Sequence, residues 1–235
     1  MLALLFAAAL GLAISAAIMT APLQVKRKVR IDAPGAIRNG DLLLFSSTYK
    51  LPCDVQKIAT GSQYTHSGVA FVDAKGVPHV FEVLRDEGSI VTRLEKHLQD
   101  PTYRCVVRHI NKPIDGRTLE AVIRLGLGQE YNHTFWRGIV ARWSFIPELV
   151  PPPMAENKVM SSQRCCSELV AATYARLGVL DFSKSRYGQS QVLPGDFSEH
   201  SFNVPLAHGY AFGPEYLLLP SPKTHVPKSG AQSLR

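Results

Sequence analysis

The sequence contains two adjacent cysteines, Cys165 and Cys166, at the start of a segment with helical periodicity. Ser161 and Ser162 are candidate N-caps of this helix, and Gly178 stands where a helix stop is expected. A cysteine in the first turn of a helix lies near unpaired backbone N–H groups and the positive end of the helix dipole, which favour a thiolate over a thiol. The pattern predicts a nucleophilic cysteine, with a buried packing cysteine as the alternative.

A histidine and a carboxylate that can serve such a cysteine lie upstream of it. The alternation of residues 63–72 and 78–84 predicts two strands, with His66 at the beginning of the first. The connection Ala74-Lys75-Gly76 has the length and the glycine of a three-residue hairpin loop with a bulge. Pairing the residues that flank this loop places His66 diagonal to Glu82 on the same face of the sheet. We therefore expect the carboxylate to reach the imidazole.

Cys166, His66 and Glu82 supply the three parts of a nucleophilic site: a thiol, a base and a carboxylate that orients the base. The imidazole can take the thiol proton, the thiolate can attack a carbonyl, and a backbone N–H at the helix start can hold the oxyanion. Each residue also has an ordinary structural interpretation. His66 can be a packed or surface histidine, and Glu82 can simply pair with Arg85.

Composition and cysteine spacing restrict the class of protein. The chain has 235 residues, of which 46% are hydrophobic and 19% charged, as in a globular protein with one substantial domain. The four cysteines include no C-x-x-C pair, which disfavours a zinc site or a disulfide framework, so we expect reduced thiols, no metal and no cofactor. No aromatic-interleaved basic surface accompanies the net charge of +7, and we expect no nucleic-acid partner.

The N-terminal segment predicts contact with a membrane. Residues 1–24 carry no charge and are long and apolar enough for a transmembrane anchor. The linker 25–38 begins with a basic cluster on the carboxyl side of this segment, which suits anionic lipid head groups and places the main domain in the cytoplasm by the positive-inside rule. Export after cleavage of a signal peptide near Ser15-Ala16-Ala17 is the alternative.

The remaining pattern predicts one domain over residues 39–222 and a disordered tail over 223–235. Asp115 is expected to cap a helix that runs to about Leu127, and Cys105 to be a core residue. The apolar stretch 135–150 fits a core segment, the wall of a substrate groove or a membrane-contacting flap. Further elements are expected at 41–45 (strand), 56–59 (helical turn), 90–94 and 103–110 (strands), 193–197 (turn) and 216–219 (strand).

Six short blocks carry a resemblance to a known family. They are Asn39-Gly40-Asp41-Leu42-Leu43, Gly61-Ser62-Gln63-Tyr64-Thr65-His66-Ser67-Gly68-Val69, Phe81-Glu82-Val83, Leu127-Gly128-Gln129-Glu130-Tyr131-Asn132, Cys166-Ser167-Glu168-Leu169-Val170 and Leu193-Pro194-Gly195-Asp196. In this order they resemble the circularly permuted papain-like branch of the NlpC superfamily, and within it the YiiX/YaeF-type hydrolases. Lecithin:retinol acyltransferase and a poxvirus virion protein are more distant kin.

The resemblance implies an α+β, circularly permuted papain-like fold, in which an antiparallel sheet packs against the helix that bears the catalytic cysteine. It implies Cys166, His66 and Glu82 as catalytic residues, and we expect Tyr64 and Cys165 beside them as binding residues. An aromatic residue commonly precedes the nucleophile in this family, whereas Cys165 precedes it here. Cys165 is therefore a competitor for the role of nucleophile.

The family acts on amide, ester or thioester bonds, often in lipids or lipid-modified molecules. We therefore expect a membrane-anchored cysteine hydrolase or acyltransferase with a membrane lipid, a lipid-modified molecule or a peptide as substrate. The alternative is an inactive lipid- or partner-binding structural protein of the same fold, for example in an enveloped virion. Neither the bond type nor the oligomeric state follows from the sequence.

Overall fold

A mixed seven-stranded sheet forms the centre of the protein. The computed structural model describes residues 23–47, 57, 62–132, 163–185, 188–201 and 204–221. The strands of this sheet are β1 (Lys28–Arg30), β2 (Leu42–Ser47), β3 (His66–Val72), β4 (Pro78–Leu84), β5 (Gly88–Arg93), β6 (Tyr103–Ile110) and β9 (Phe212–Leu219). Their order is β1-β9-β6-β2-β3-β4-β5, and neighbours run antiparallel except β1 and β9, which are parallel. Two short parallel strands, β7 (Glu130–Tyr131) and β8 (Gln163–Arg164), form a separate ribbon.

Helices cover both faces of the sheet. They are α1 (Leu94–Gln99), α2 (Gly116–Gly126) and α3 (Cys166–Arg176). Leu119 of α2 and Leu169 of α3 belong to one buried apolar cluster with Val69 and Phe81 of the sheet, while Leu94 of α1 belongs to a second. Burial of these side chains supplies the main driving force for packing helix on sheet. The fold is therefore α+β, as the sequence predicted.

The hairpin of β3 and β4 has the predicted register. Asp73 N–H donates to the Val77 carbonyl at 3.0 Å, and Gly76 has a φ of +77°, which a glycine adopts without strain. Val69 pairs with Phe81 further along the strands. His66 is the first residue of β3, a strand in the interior of the sheet.

Local signals also gave the ends of two helices. The Asp115 carboxylate accepts a hydrogen bond from Thr118 N–H at 2.9 Å and caps α2 as predicted. The helix α3 is followed by Gly178, whose φ of +69° is that of a helix-terminating glycine. Cys105 is buried in β6, as expected for a core residue.

The structure corrects four predicted element boundaries. Leu94, predicted to end a strand, begins α1, and the closing strand starts at Phe212 rather than near residue 216. Part of the predicted linker 25–38 is the strand β1, which pairs with Leu217–Leu219. The N-cap of α3 is Cys165, since its backbone is extended and its N–H donates to the Glu168 carboxylate at 3.4 Å, so the predicted caps at 161 and 162 are displaced.

Several predicted segments lie outside the described residues. They are nearly all of the anchor 1–24, most of the helical turn 56–59, the apolar stretch 135–150 and the tail 223–235. Within the described ranges, no helix combines the length and the apolar character needed to cross a membrane. The membrane anchor and the cytoplasmic location therefore stay predictions from the sequence.

Candidate active site

The start of α3 holds Cys166 firmly in the protein. Cys165 is the last extended residue and Cys166 the first helical one, and the helix behind them is buried along Leu169 and Val170. Leu169 N–H donates to the Cys165 carbonyl at 2.9 Å, which closes the first helical turn. The Cys166 side chain is 7% exposed, so its surroundings rather than bulk water determine its ionisation.

His66 and Glu82 meet as the hairpin register predicts. His66 Nε2 lies 2.7 Å from Glu82 Oε2, and the Glu82 side chain is completely buried. Because an ionised carboxylate only accepts hydrogen bonds, the Nε2–H of His66 donates to it. This leaves Nδ1 as the imidazole nitrogen that can accept a proton from a thiol. The hydrogen-bond partners of the Glu82 oxygens are His66, His97 and Thr92, whereas the sequence also allowed a pair with Arg85.

Cys166 and His66 form a charge-stabilised pair. Burial alone would raise the pKa of the Cys166 thiol, but the charge of His66, a hydrogen bond to its ring and backbone hydrogen bonds from Ser67 and Ser167 lower it. Burial likewise opposes the charged form of His66, yet the Cys166 sulfur and the Glu82 carboxylate raise its pKa to about 10. The arrangement favours a thiolate beside an imidazolium.

Glu82 remains ionised despite its burial. Burial favours the protonated carboxyl, but hydrogen bonds from His66 and His97 outweigh this effect and hold the pKa of Glu82 well below its usual range. The carboxylate can therefore orient the His66 ring and stabilise its charge without taking its proton.

Cys165, the competing cysteine, has the opposite environment. Its side chain is 6% exposed, and its Sγ lies 3.6 Å from Ser167 Oγ. Burial, followed by the negative charges of Cys166 and Glu168, raises the pKa of Cys165 to about 12. At neutral pH Cys165 is therefore a buried thiol. This environment makes Cys166 the better candidate for the reactive member of the pair.

Tyr64, the other predicted binding residue, lies in the apolar core with 3% exposure. Burial and the nearby charge of Glu215 raise the pKa of the Tyr64 phenol well above its ordinary value. The structure thus brings Cys166, His66 and Glu82 together and places Tyr64 and Cys165 in the protein interior. Direct contact of these two residues with a substrate stays a prediction.

His97 and Thr92 were not assigned to this site from the sequence. His97 Nε2 lies 2.8 Å from Glu82 Oε1, and the Thr92 hydroxyl donates to the same oxygen. Alternation along β5 was a usable signal for Thr92, because it places this residue on the same face of the sheet as Glu82. No such signal pointed to His97, because the sequence predicted a strand over residues 90–94 and no helix after it.

Gly68 packs closely against Val80 and Phe81 of the neighbouring strand. A Cβ at position 68 would lie 2.4 Å from Val80 Cγ1 and 3.0 Å from the Phe81 carbonyl oxygen. We expect Gly68→Ala to lower the free energy of unfolding by about 1–3 kcal/mol, because the backbone oxygen cannot move away cheaply. Urea unfolding measures this loss. Gly188→Ala is the matched control, since a Cβ there meets nothing within 4 Å, and equal stability of the two variants would contradict the packing argument.

No metal site accompanies the three residues in the part of the chain that the structure describes. No group of three or more His, Cys, Asp or Glu side chains among residues 23–47, 57, 62–132, 163–185, 188–201 and 204–221 is arranged to hold an ion. Both Glu82 oxygens are engaged by ring or hydroxyl donors.

Comparisons with known proteins give a similarity to a solved structure. No protein-family model matches the chain, and no curated protein matches its sequence. Among solved structures, the chain is similar to one described as the metalloprotein yiiX from Escherichia coli O157:H7. The TM-score is 0.45 and the sequence identity 20%, over 61% of this chain and 69% of that chain. Function must therefore be inferred from the motifs and the geometry of the site.

Proposed function

We propose that this protein is a cysteine hydrolase or acyltransferase that cleaves amide, ester or thioester bonds. Cys166 is the nucleophile, His66 the general base and acid, and Glu82 the residue that orients His66. The observation that carries the proposal is the geometry of His66: its Nε2 lies 2.7 Å from the fully buried Glu82 carboxylate. The same imidazole interacts with Cys166 at the start of α3 and favours its thiolate.

The reaction follows from the charges of the pair. The Cys166 thiolate attacks the carbonyl carbon of the substrate, and a new C–S bond forms while the carbonyl π electrons move to oxygen. When this intermediate collapses, the bond to the amine, alcohol or thiol breaks, and the His66 imidazolium gives its proton to that leaving group. The remaining acyl group is then a thioester of Cys166.

The second half of the reaction decides between hydrolysis and transfer. Neutral His66 takes a proton from water or from an acceptor nucleophile, which attacks the thioester and releases the acid or the transferred product. The Cys166 thiolate leaves and is again paired with the His66 imidazolium. The backbone N–H groups at the start of α3 are suited to hold the oxyanion, because they lack helical partners and lie at the positive end of the helix dipole.

A circularly permuted papain-like fold is part of this proposal. The order histidine, carboxylate, cysteine along the chain and the six sequence blocks support it. A mainly antiparallel sheet beside the helix that starts with Cys166 supports it as well. The apolar segment 1–24 and the basic cluster after it favour a substrate at a membrane surface, such as a lipid or a lipid-modified molecule.

Formation of an acyl-enzyme tests the function directly. We expect full-length protein treated with a small activated ester to carry one acyl group on Cys166, detected by peptide mass spectrometry. His66→Ala should slow this acylation on the order of 100-fold, because the imidazolium no longer stabilises the thiolate. Glu82→Gln should slow it more mildly, since the base is retained and only its orientation and charge are disturbed.

His79→Ala is the matched histidine control. His79 also pairs with a carboxylate, Asp73, at 3.1 Å, but it lies at the far end of the β3–β4 hairpin. The His79→Ala variant should be acylated on Cys166 at the same rate as the unaltered protein. An absence of any Cys166 adduct in folded protein, or equal rates for His66→Ala and His79→Ala, would favour the inactive lipid- or partner-binding alternative.

A further inference from the structure

The Glu82 carboxylate is held from two sides. Its Oε2 accepts from His66 at 2.7 Å, and its Oε1 accepts from His97 at 2.8 Å and from the Thr92 hydroxyl. The Thr92 hydroxyl also lies 3.2 Å from His97 Nε2. Because the carboxylate is fully buried, these donors replace the hydration that it would have in water. Rotation of the carboxylate would break these hydrogen bonds together.

The two imidazole rings share a second contact through Phe45. The centroid of the Phe45 ring lies 5.4 Å from that of His66 and 5.0 Å from that of His97. The His97 ring also meets Tyr103 edge to face, with centroids 6.1 Å apart and planes at 90°. The His97 side chain is only 13% exposed. Its ring is thus confined by aromatic packing as well as by its hydrogen bond.

We propose that His97, assisted by Thr92, is a positioning residue that holds the Glu82 carboxylate against His66. The inference rests on the proposed function for its catalytic consequence. The Nε2–H of His97 secures Oε1, so that Oε2 stays directed at His66 Nε2–H. This hydrogen bond keeps the His66 proton on Nε2 and leaves Nδ1 free to serve Cys166. Loss of the His97 donor therefore weakens the support that Glu82 gives to the imidazolium.

A conservative and a disruptive replacement separate positioning from packing. His97→Phe keeps an aromatic ring but removes the donor, whereas His97→Gln places an amide N–H near the position of Nε2. We measure the alkylation rate of Cys166 by iodoacetamide against pH in the full-length protein. His97→Phe should move the midpoint of this profile up by about one pH unit and slow alkylation below the midpoint by up to about tenfold. His97→Gln should return the midpoint toward that of the unaltered protein and restore the alkylation rate to within about threefold.

Thr92 provides an independent pair of variants. Thr92→Val removes the hydroxyl at nearly constant shape and should move the profile in the same direction as His97→Phe, by a smaller amount. Thr92→Ser should leave it in place, because it retains the hydroxyl. His79→Phe is the matched control for a histidine paired with a carboxylate elsewhere on the sheet, and it should leave the profile unchanged.

The outcomes distinguish this inference from the function on which it rests. An unshifted or downward-shifted profile for His97→Phe would overturn the positioning role. A wild-type profile typical of an ordinary thiol would instead contradict the proposed function. In that case the ¹⁵N and ¹H resonances of the His66 Nε2–H group decide the positioning role. They should change in His97→Phe and be restored in His97→Gln, and identical resonances in all three proteins would overturn it.

Discussion

Replacing Cys166 with serine should remove the fast-reacting thiol of this protein, and replacing Cys165 with serine should leave most of it. The reason is the difference between the two environments. His66 and two backbone hydrogen bonds lower the pKa of Cys166, while burial and neighbouring negative charge raise the pKa of Cys165 to about 12. Since the thiolate is the nucleophile, the two adjacent side chains should differ in reactivity far more than in exposure.

The pH dependence of alkylation is the measurement that separates a lowered pKa from simple accessibility. For an ordinary thiol, the thiolate fraction falls roughly 75-fold between pH 8 and pH 6. A cysteine with a lowered pKa stays ionised above that pKa and loses its thiolate only as the pH falls through it. We therefore expect the rate at Cys166 to fall by much less than this roughly 75-fold change over the same interval, measured by iodoacetamide labelling and peptide mass spectrometry.

Cys165→Ser is the matched control for this experiment, because it alters the neighbouring residue and retains Cys166, His66 and Glu82. Its pH profile should overlay that of the unaltered protein. If Cys165→Ser removes the fast-reacting thiol and Cys166→Ser does not, the nucleophile is assigned to the wrong member of the pair. If both variants retain it, the reactive cysteine lies elsewhere in the chain.

Asp41→Ala should cause a large loss of stability although Asp41 lies outside the active site. The Asp41 side chain is completely buried and accepts hydrogen bonds from the backbone N–H groups of Arg38 and Ile110, at 2.8 and 3.2 Å. His109 Nδ1 lies 2.8 Å from the same carboxylate. Removing the carboxylate leaves the buried N–H of Ile110 and the partly buried N–H of Arg38 without this acceptor, and we expect a loss of about 3–5 kcal/mol in the free energy of unfolding.

Urea unfolding followed by circular dichroism measures this loss. Asp86→Ala is the matched control, because Asp86 is an exposed residue of the turn between β4 and β5, and its replacement should leave the midpoint within experimental error. Asp41→Asn should fall between the two, because the amide retains one acceptor oxygen. A midpoint for Asp41→Ala close to that of Asp86→Ala would show that water or neighbouring groups replace the lost acceptor.

The parts of the fold that could be predicted were those set by contacts close in the sequence. The loop of residues 74–76 joins two strands directly, so its length and Gly76 determine the register that brings Glu82 to His66. The cap of α2 depends on Asp115 and a residue three positions later. Such interactions involve few residues and little loop entropy, and the pattern alone therefore predicts them.

Other features depended on contacts between distant parts of the chain. The pairing of β1 with β9 joins Lys28–Arg30 to Leu217–Leu219, and no local signal in the basic cluster predicts it. The exact start of α3 likewise depends on how its buried side packs against the sheet. That start makes Cys165 the cap and Cys166 the first helical residue.

The second histidine of the site shows the same limit most clearly. The side chain of His97 reaches Glu82 only because α1 turns back over the sheet and buries Leu94 against it. Residue spacing predicts one strand over residues 90–94. A chain that continued along this strand would place His97 far from the carboxylate. Hairpin register could identify the base and its carboxylate, whereas the packing of a short helix decided what holds that carboxylate in place.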